Sequence, residues 1–410
     1  MHPFFVCRPL LRGVVVFFCA LLFNTNAGKT ATLAELLAAT DSTSHEILLA
    51  KEELARSSAV HSNARAIPNP VIFGSNEELG SVRETGLGLN QELGFIWNRG
   101  AEINSAAASV SAANAYLRLT QSRVYSNVLS DLLRLHHLNE QLDLLNDISS
   151  QLELILLSND KREQAGDIST FDAMRVRFES ISIHKKRIEI LRDIEALEKS
   201  LGRECGLAYK TALRSIHREM VEIPFTNAED ALRYAREHSP ELQGISLRTE
   251  SARQAKSAAS WRRLPDFSIG IGQKSNNLDE QGWILEAELE LPIFYRRNAE
   301  LRLRKAEYER ASKEVRSVSA QLSEEVLRAF DLWRNANSHS QLSFPPEMLR
   351  NHLKAANDLY LSGEIGYIEL LDAIEASETA QLEQFEIEAS RLQTDLNLRL
   401  LTGFPILENY

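Results

Sequence analysis

Apolar positions along this chain recur at two different spacings, and these separate long helices from short strands. From Ala101 to about Gln164 there is neither proline nor glycine, and Leu138, Leu142, Leu145, Ile148, Leu152 and Ile155 step by 4, 3, 3, 4 and 3. That alternation is a coiled-coil-like seam. A helix of about 64 residues spans roughly 100 Å at ~1.5 Å per residue, longer than a compact domain needs. Its opening (Ala106-Ala107-Ala108, Ala112-Ala113 and Ala115) is rich in small residues that let a neighbouring helix come close. A second helical run is predicted from Phe171 to about Leu201, with Met174, Phe178 and Ile181 at steps of 4 and 3.

Elsewhere the period drops to two. Trp283, Leu285, Ala287, Leu289 and Leu291 alternate with Ile284, Glu286, Glu288 and Glu290. Phe267, Ile269 and Ile271 alternate with Ser268, Gly270 and Gly272, and Leu87, Leu89 and Leu93 with Gly88, Asn90 and Glu92. These are strands with an apolar face opposite a polar one. Two surroundings suit them: a half-buried sheet over a helical core, or a barrel wall with lipid outside and a polar interior. Four strands cannot close a barrel, for which about eight is the practical minimum, so a barrel needs several chains.

The pattern occurs twice. The segment from Gln91-Glu92-Leu93-Gly94 to Asn98-Arg99 returns 198 residues later as Leu289-Glu290-Leu291-Pro292 to Arg296-Arg297. Ala165-Gly166-Asp167-Ile168-Ser169 returns 197 residues later as Ser362-Gly363-Glu364-Ile365-Gly366, and Leu201-Gly202 returns as Thr402-Gly403. Each half reads helix, two strands, long helix, tight turn, long helix. The proline pair Pro345-Pro346 interrupts the long helix of the second half alone.

The first 27 residues have a different character. Arg8 and Arg12 precede the apolar run Val14 to Phe23, and Ala27 offers a small residue for cleavage. This is the form of a secretory signal, and at ten residues the run is half the ~20 that a membrane-spanning helix needs. The expected division is therefore a signal peptide (1–27), a first repeat of helix, two strands and long helical hairpin (28–206), a linker (207–226), a second repeat (227–403) and a C-terminal tail (404–410). After residue 27 no stretch is long and apolar enough for a transmembrane helix, so any membrane contact falls to strands or an amphipathic surface.

Composition narrows the function classes. The chain has 410 residues, 46 Lys+Arg against 57 Asp+Glu and a net charge of −11, which becomes −13 when Arg8 and Arg12 leave with the signal. Nucleic acid is a poor partner for that balance. Of three cysteines only Cys205 lies beyond the signal, where it is expected as a packed thiol near a helix end. Adjacent His136 and His137 point about 100° apart on a helix and cannot share a metal, so both are expected on the helix surface. There is no HExxH, CxxC, P-loop or GxSxG motif, and no catalytic, cofactor or metal site is assigned.

Signal, duplicated halves, paired strands, long helices and Gly-acid-Ile turns together resemble the TolC-like outer-membrane efflux proteins, over Ala31 to Gly403. Leu291 to Asn298 and Tyr360 to Ala373 look most like the heavy-metal branch typified by CzcC. The resemblance implies a mainly α fold with a small β part. Long coiled-coil-like helical hairpins form a periplasmic α-barrel, and three chains of four strands each share a transmembrane β-barrel. It implies a homotrimer in outer-membrane lipid, working with a periplasmic adaptor (membrane fusion) protein and an inner-membrane RND-type pump, and passing substrate outward without catalysis. Heavy-metal cations are the favoured cargo. A type I secretion or drug-efflux duct is the alternative within transport, and a secreted coiled-coil scaffold the alternative outside it.

Residue by residue, the resemblance makes Gly166, Asp167, Ile168, Gly363, Glu364 and Ile365 the adaptor-facing tips, with Gly166 and Gly363 also expected as helix C-caps. Tyr360, Glu369 and Asp372 match the pore gate. Ile365 stands where some members carry a basic partner for that gate. Glu286, Glu288 and Glu290 would face the barrel lumen. Trp97 and Tyr295, at matching junctions, suit either an interfacial belt or core packing.

Overall fold

A computed structural model of the protein describes residues 32–166, 168–206, 220–339 and 346–407. The signal segment, Asp167, most of the linker, Pro345 and the last three residues lie outside the described residues.

The first half runs α1 (Leu33–Thr43), α2 (His45–Ala64), β1 (Val71–Leu79), β2 (Val82–Glu92), a 3-10 turn (Gly94–Ile96), α3 (Arg99–Ala165) and α4 (Thr170–Cys205). The second half runs α5 (Ala228–His238), α6 (Pro240–Trp261), β3 (Asp266–Asn276), β4 (Gln281–Glu290), α7 (Asn298–His339), α8 (Pro346–Ser362) and α9 (Tyr367–Thr402). Both halves run helix, helix, strand, strand, long helix, and α4 and α9 both have 36 residues and start 197 apart, at Thr170 and Tyr367. α3 is one helix of 67 residues, and the second half has α7 and α8 on either side of residues 340–345, which lie outside the described residues.

Local chemistry sets the helix ends. Thr32 and Glu35 form a reciprocal capping box on α1, and Asn227 accepts the Asp230 amide at 2.8 Å to start α5. Gly403 ends α9 in the left-handed region at φ 78°. Its repeat counterpart Gly202 does not do the same for α4: it lies inside the helix, and Gly206 (φ 61°) follows the helix end.

Three apolar clusters hold the helices together. The seam of α3 is buried from Leu145 to Ile155 and meets Val176, Ile183 and Ile190 of α4 and Leu353, Tyr360, Leu370 and Ile374 of α8 and α9. A second cluster packs α1 and α2 on the middle of α3, with Leu201 and Cys205 of α4 and Leu392 and Leu396 of α9. Cys205 is buried and donates to the Leu201 carbonyl at 3.1 Å, a packed thiol as expected. A third joins Phe225 and α5 to Leu322, Val326 and Phe330 of α7. The small residues opening α3 let α6 approach: Ser251 lies 2.8 Å from Ser109 and 3.2 Å from Ser105, oxygen to oxygen.

Met174, Phe178 and Ile181 of α4 stand exposed with Phe171, and Ala173, Val176 and Ile183 fill the core. One sequence expectation needs correction: His137 is not on the surface but 6% exposed, with its ring stacked 3.8 Å from Phe385 of α9. Burial, with the charge of His136 adding to it, brings the His137 pKa down to about 4.

Among the described residues four strands form one antiparallel sheet in the order β1-β2-β3-β4, leaving β1 and β4 as open edges. The sheet does not lie over the helical core. Its main contact beyond itself is with the 3-10 turn at its base.

Candidate functional site

The sheet separates two chemistries by register. Ile72, Leu89, Ile271 and Leu285 align across all four strands in one row. Ile269, Leu289, Leu87 and Trp283 share that face, and the row is open to its surroundings, with Leu285 80% and Ile72 71% exposed. Exposed apolar area of this extent marks a surface that meets something other than water. The strands are 9, 11, 11 and 10 residues long, which is the length of a membrane-crossing strand, ~9–11 residues when tilted.

The opposite face is polar and small. Val71, Asn90, Gly270 and Glu286 make one row, and Glu92, Ser268 and Glu288 the next. Glu286, Glu288 and Glu290 therefore sit together on the face away from Leu285 and Leu289, as the alternation requires. Gly88 and Gly272 allow their strands and the Phe73 ring to close up. A Cβ on Gly88 would stand 2.5 Å from that ring, and one on Gly272 2.7 Å from the Leu87 carbonyl.

At the far end of the helices are the two turns. Gly166 (φ 81°) and Gly363 (φ 78°) follow α3 and α8 in the left-handed conformation that suits glycine, so both cap as expected. Glu364 and Ile365 both donate back to the Leu359 carbonyl, at 2.9 and 3.4 Å. Glu364 is exposed, whereas Ile168 and Ile365 are half-buried, with Ile365 packed against the distal core. Asp167 lies outside the described residues.

The gate candidates are not brought together. Glu369 and Asp372 occupy the exposed face of α9, opposite the buried Tyr367, Leu370, Ala373 and Ile374. Glu369 folds back over the helix start, close enough that a Cβ on Gly366 would stand 2.7 Å from its Oε2. Tyr360 is instead 6% exposed, and its hydroxyl donates to Asn159 Oδ1 at 3.3 Å, tying α8 to α3. Beside it Tyr367 donates to the Arg175 carbonyl of α4 at 3.1 Å. Burial, with the Glu179 charge behind it, pushes the Tyr367 pKa up to about 12, so it stays a neutral donor.

The junction between sheet and helices carries no motif that marks it in the sequence. Arg262, just past α6, donates to both Glu102 and Glu300, the latter at 2.9 Å. Asn98 also donates to Glu102, at 2.7 Å, and Arg297 pairs with Asp266 at 3.1 Å. The Trp97 ring lies 5.8 Å from Phe267 here, and both Trp97 and Tyr295 are exposed. The signal was available: Glu102 and Glu300 are 198 residues apart, the offset of the duplication. Repeat-equivalent acids meet on one arginine.

Residues 231–404 match the family described as outer membrane efflux protein. No curated protein is detectably similar to the chain in sequence. Solved structures share its fold along nearly the whole length. CusC, described as forming a transmembrane channel, is 15% identical over 90% of this chain and 92% of its own, with a TM-score of 0.69. VceC, an outer-membrane protein from Vibrio cholerae, is 16% identical over 90% and 96%, with a TM-score of 0.68. CmeC, an outer-membrane channel from Campylobacter jejuni, is 15% identical over 92% and 87%, with a TM-score of 0.70. The chain thus has the fold of the outer-membrane efflux channels, mostly helical with a small antiparallel sheet. The matched family and these neighbours are channel proteins and not enzymes.

Proposed function

We propose that the chain is an outer membrane efflux protein over both halves, and that it serves as the outer-membrane duct of a tripartite efflux system. The observation that carries this reading is the sheet: an exposed apolar row across four membrane-length strands, an acidic opposite face and two unpaired edges. Edge strands that end in open backbone demand partners. Three copies give twelve strands, with the apolar row toward lipid and Glu286, Glu288 and Glu290 toward the lumen. The exposed stripe of Phe171, Met174, Phe178 and Ile181 on α4 supports packing against further copies in the helical part. A coiled-coil scaffold would need neither the sheet nor its two-faced register.

In this arrangement the helices extend into the periplasm and the turns at Gly166 to Ile168 and Gly363 to Ile365 face a periplasmic adaptor fed by an RND-type pump. Glu369 and Asp372, exposed on α9, form acidic rings in triplicate, and such rings favour cations and resist closing on one another. Tyr360 acts behind them, holding α8 to α3 through Asn159. The acidic face and rings favour cationic cargo, in keeping with the likeness to the heavy-metal branch. The mature protein reconstituted in a planar bilayer should conduct with cation preference. Absence of conductance, or anion preference, would overturn the reading.

A further inference from the structure

The polar face of the sheet ends at its base in a mixed cavity of about 300 Å³, where Glu92, Asn98, Asp266, Ser268, Glu288 and Glu290 bring oxygens beside Arg262, Arg297 and the Phe95 and Phe267 rings. Its charges are unevenly matched. Arg297 is occupied by Asp266, and Arg262 by Glu102 and Glu300. Among the described residues, Glu92, Glu288 and Glu290 have no ion-pair partner.

Two buried oxygens in the same cavity also lack hydrogen-bond partners. Ser268 is 8% exposed and its Oγ is unpaired; Asn98 is 7% exposed and its Oδ1 is unpaired, although its amide nitrogen donates to Glu102. Desolvated oxygens without a donor are costly, and here they lie beside unneutralised carboxylates. Ser268 is flanked in register by Glu92 on β2 and Glu288 on β4. Strands lie ~4.8 Å apart, so the two glutamates start about 10 Å from one another, within reach of a common point above the short serine.

We propose that this cavity binds a hard divalent cation of the calcium type, held between the Glu92 and Glu288 carboxylates with Ser268 Oγ and Asn98 Oδ1 as neutral ligands. All four donors are oxygen, which suits calcium over the softer metals that seek nitrogen or sulfur. Two carboxylates and two neutral oxygens leave positions for water, and the irregular spacing fits calcium better than the strict octahedron of magnesium. Among the described residues no three Asp, Glu, His or Cys side chains converge to hold a metal. The site is therefore a weak one, in the class of ~10⁻⁴–10⁻³ M extracellular calcium sites. A bound ion would fasten three strands to the start of α3. The site lies within one chain and depends on neither the cargo nor the trimer.

The test uses the full mature protein in detergent, stripped with chelator and titrated with Tb³⁺ as the calcium probe. Trp97, its ring 5.8 Å from the Phe267 that lines the cavity, serves as antenna. Saturable luminescence displaced by Ca²⁺ is expected. Glu92→Gln with Glu288→Gln should weaken Tb³⁺ binding by about tenfold or more, since ligand charge sets affinity in such sites. Glu241→Gln, at the end of α6 opposite Arg262 and away from the cavity, should leave it unchanged. Wild-type protein whose luminescence Ca²⁺ does not displace would overturn the proposal without recourse to any variant. So would a folded double variant that binds as wild type.

Discussion

Leu285→Arg separates a lipid-facing wall from a water-facing sheet by magnitude. Leu285 lies in the middle of β4, is 80% exposed and shares its row with Ile271, Leu89 and Ile72. On a surface bathed in water the exchange is worth about 0.5 kcal/mol or less. At the midplane of a bilayer an arginine on the lipid face of a barrel costs roughly 2–4 kcal/mol. Three copies in one wall raise that to about 6–12 kcal/mol per assembly, comparable with the ~5–15 kcal/mol that stabilises an ordinary domain. Glu286→Arg, the next residue on the opposite face, is the control and should cost little. The assay is urea unfolding of the reconstituted protein, alongside the fraction of each variant recovered in outer membranes. Equal behaviour of the two variants, or damage from Glu286→Arg alone, would refute the assignment of the faces.

Two further outcomes follow from the helical part. Under the proposed duct reading, Glu369→Ala with Asp372→Ala should raise passive leak of large antibiotics in cells that carry this chain without a pump; unchanged leak and conductance would remove both carboxylates from the proposed gate. The buried His137 binds its proton less readily than in the unfolded chain, so stability should be full above about pH 6.5 and fall toward pH 4. The slope from this one group is at most about 1.4 kcal/mol per pH unit. His137→Gln should flatten that part of the profile in a denaturation series, and an unaltered profile would show that His137 is not its source.

The elements were legible in the sequence because their periods were unbroken. The leucine seam of α3 and the alternation in β3 and β4 each persist long enough to fix both the element and its two faces. The duplication then supplied the topology, since it paired each element with a counterpart about 197 residues away. What the sequence could not distinguish was which apolar stripe of α4 faces its own chain. Phe178 and Ile181, three apart, and Val176 and Ile183, seven apart, both keep helical spacing, and only the packing against α3 and α9 selects between them. His137 failed for a related reason: adjacency to His136 rules out a shared metal but says nothing of the Phe385 ring that arrives from α9. Tyr360 likewise stands near the proposed gate carboxylates Glu369 and Asp372 in sequence but faces Asn159, 201 positions away. The Arg262 junction draws on three elements distant in the chain, and only the 198-residue offset between Glu102 and Glu300 announced it.

The central claim is that the open four-stranded sheet is one third of a closed wall. The molar mass of the mature protein extracted from outer-membrane fractions, measured by light scattering with the detergent subtracted, tests it most directly. A mass close to three chains, and loss from solution when detergent is withdrawn, are expected. A monomer or dimer that stays soluble without detergent would contradict it.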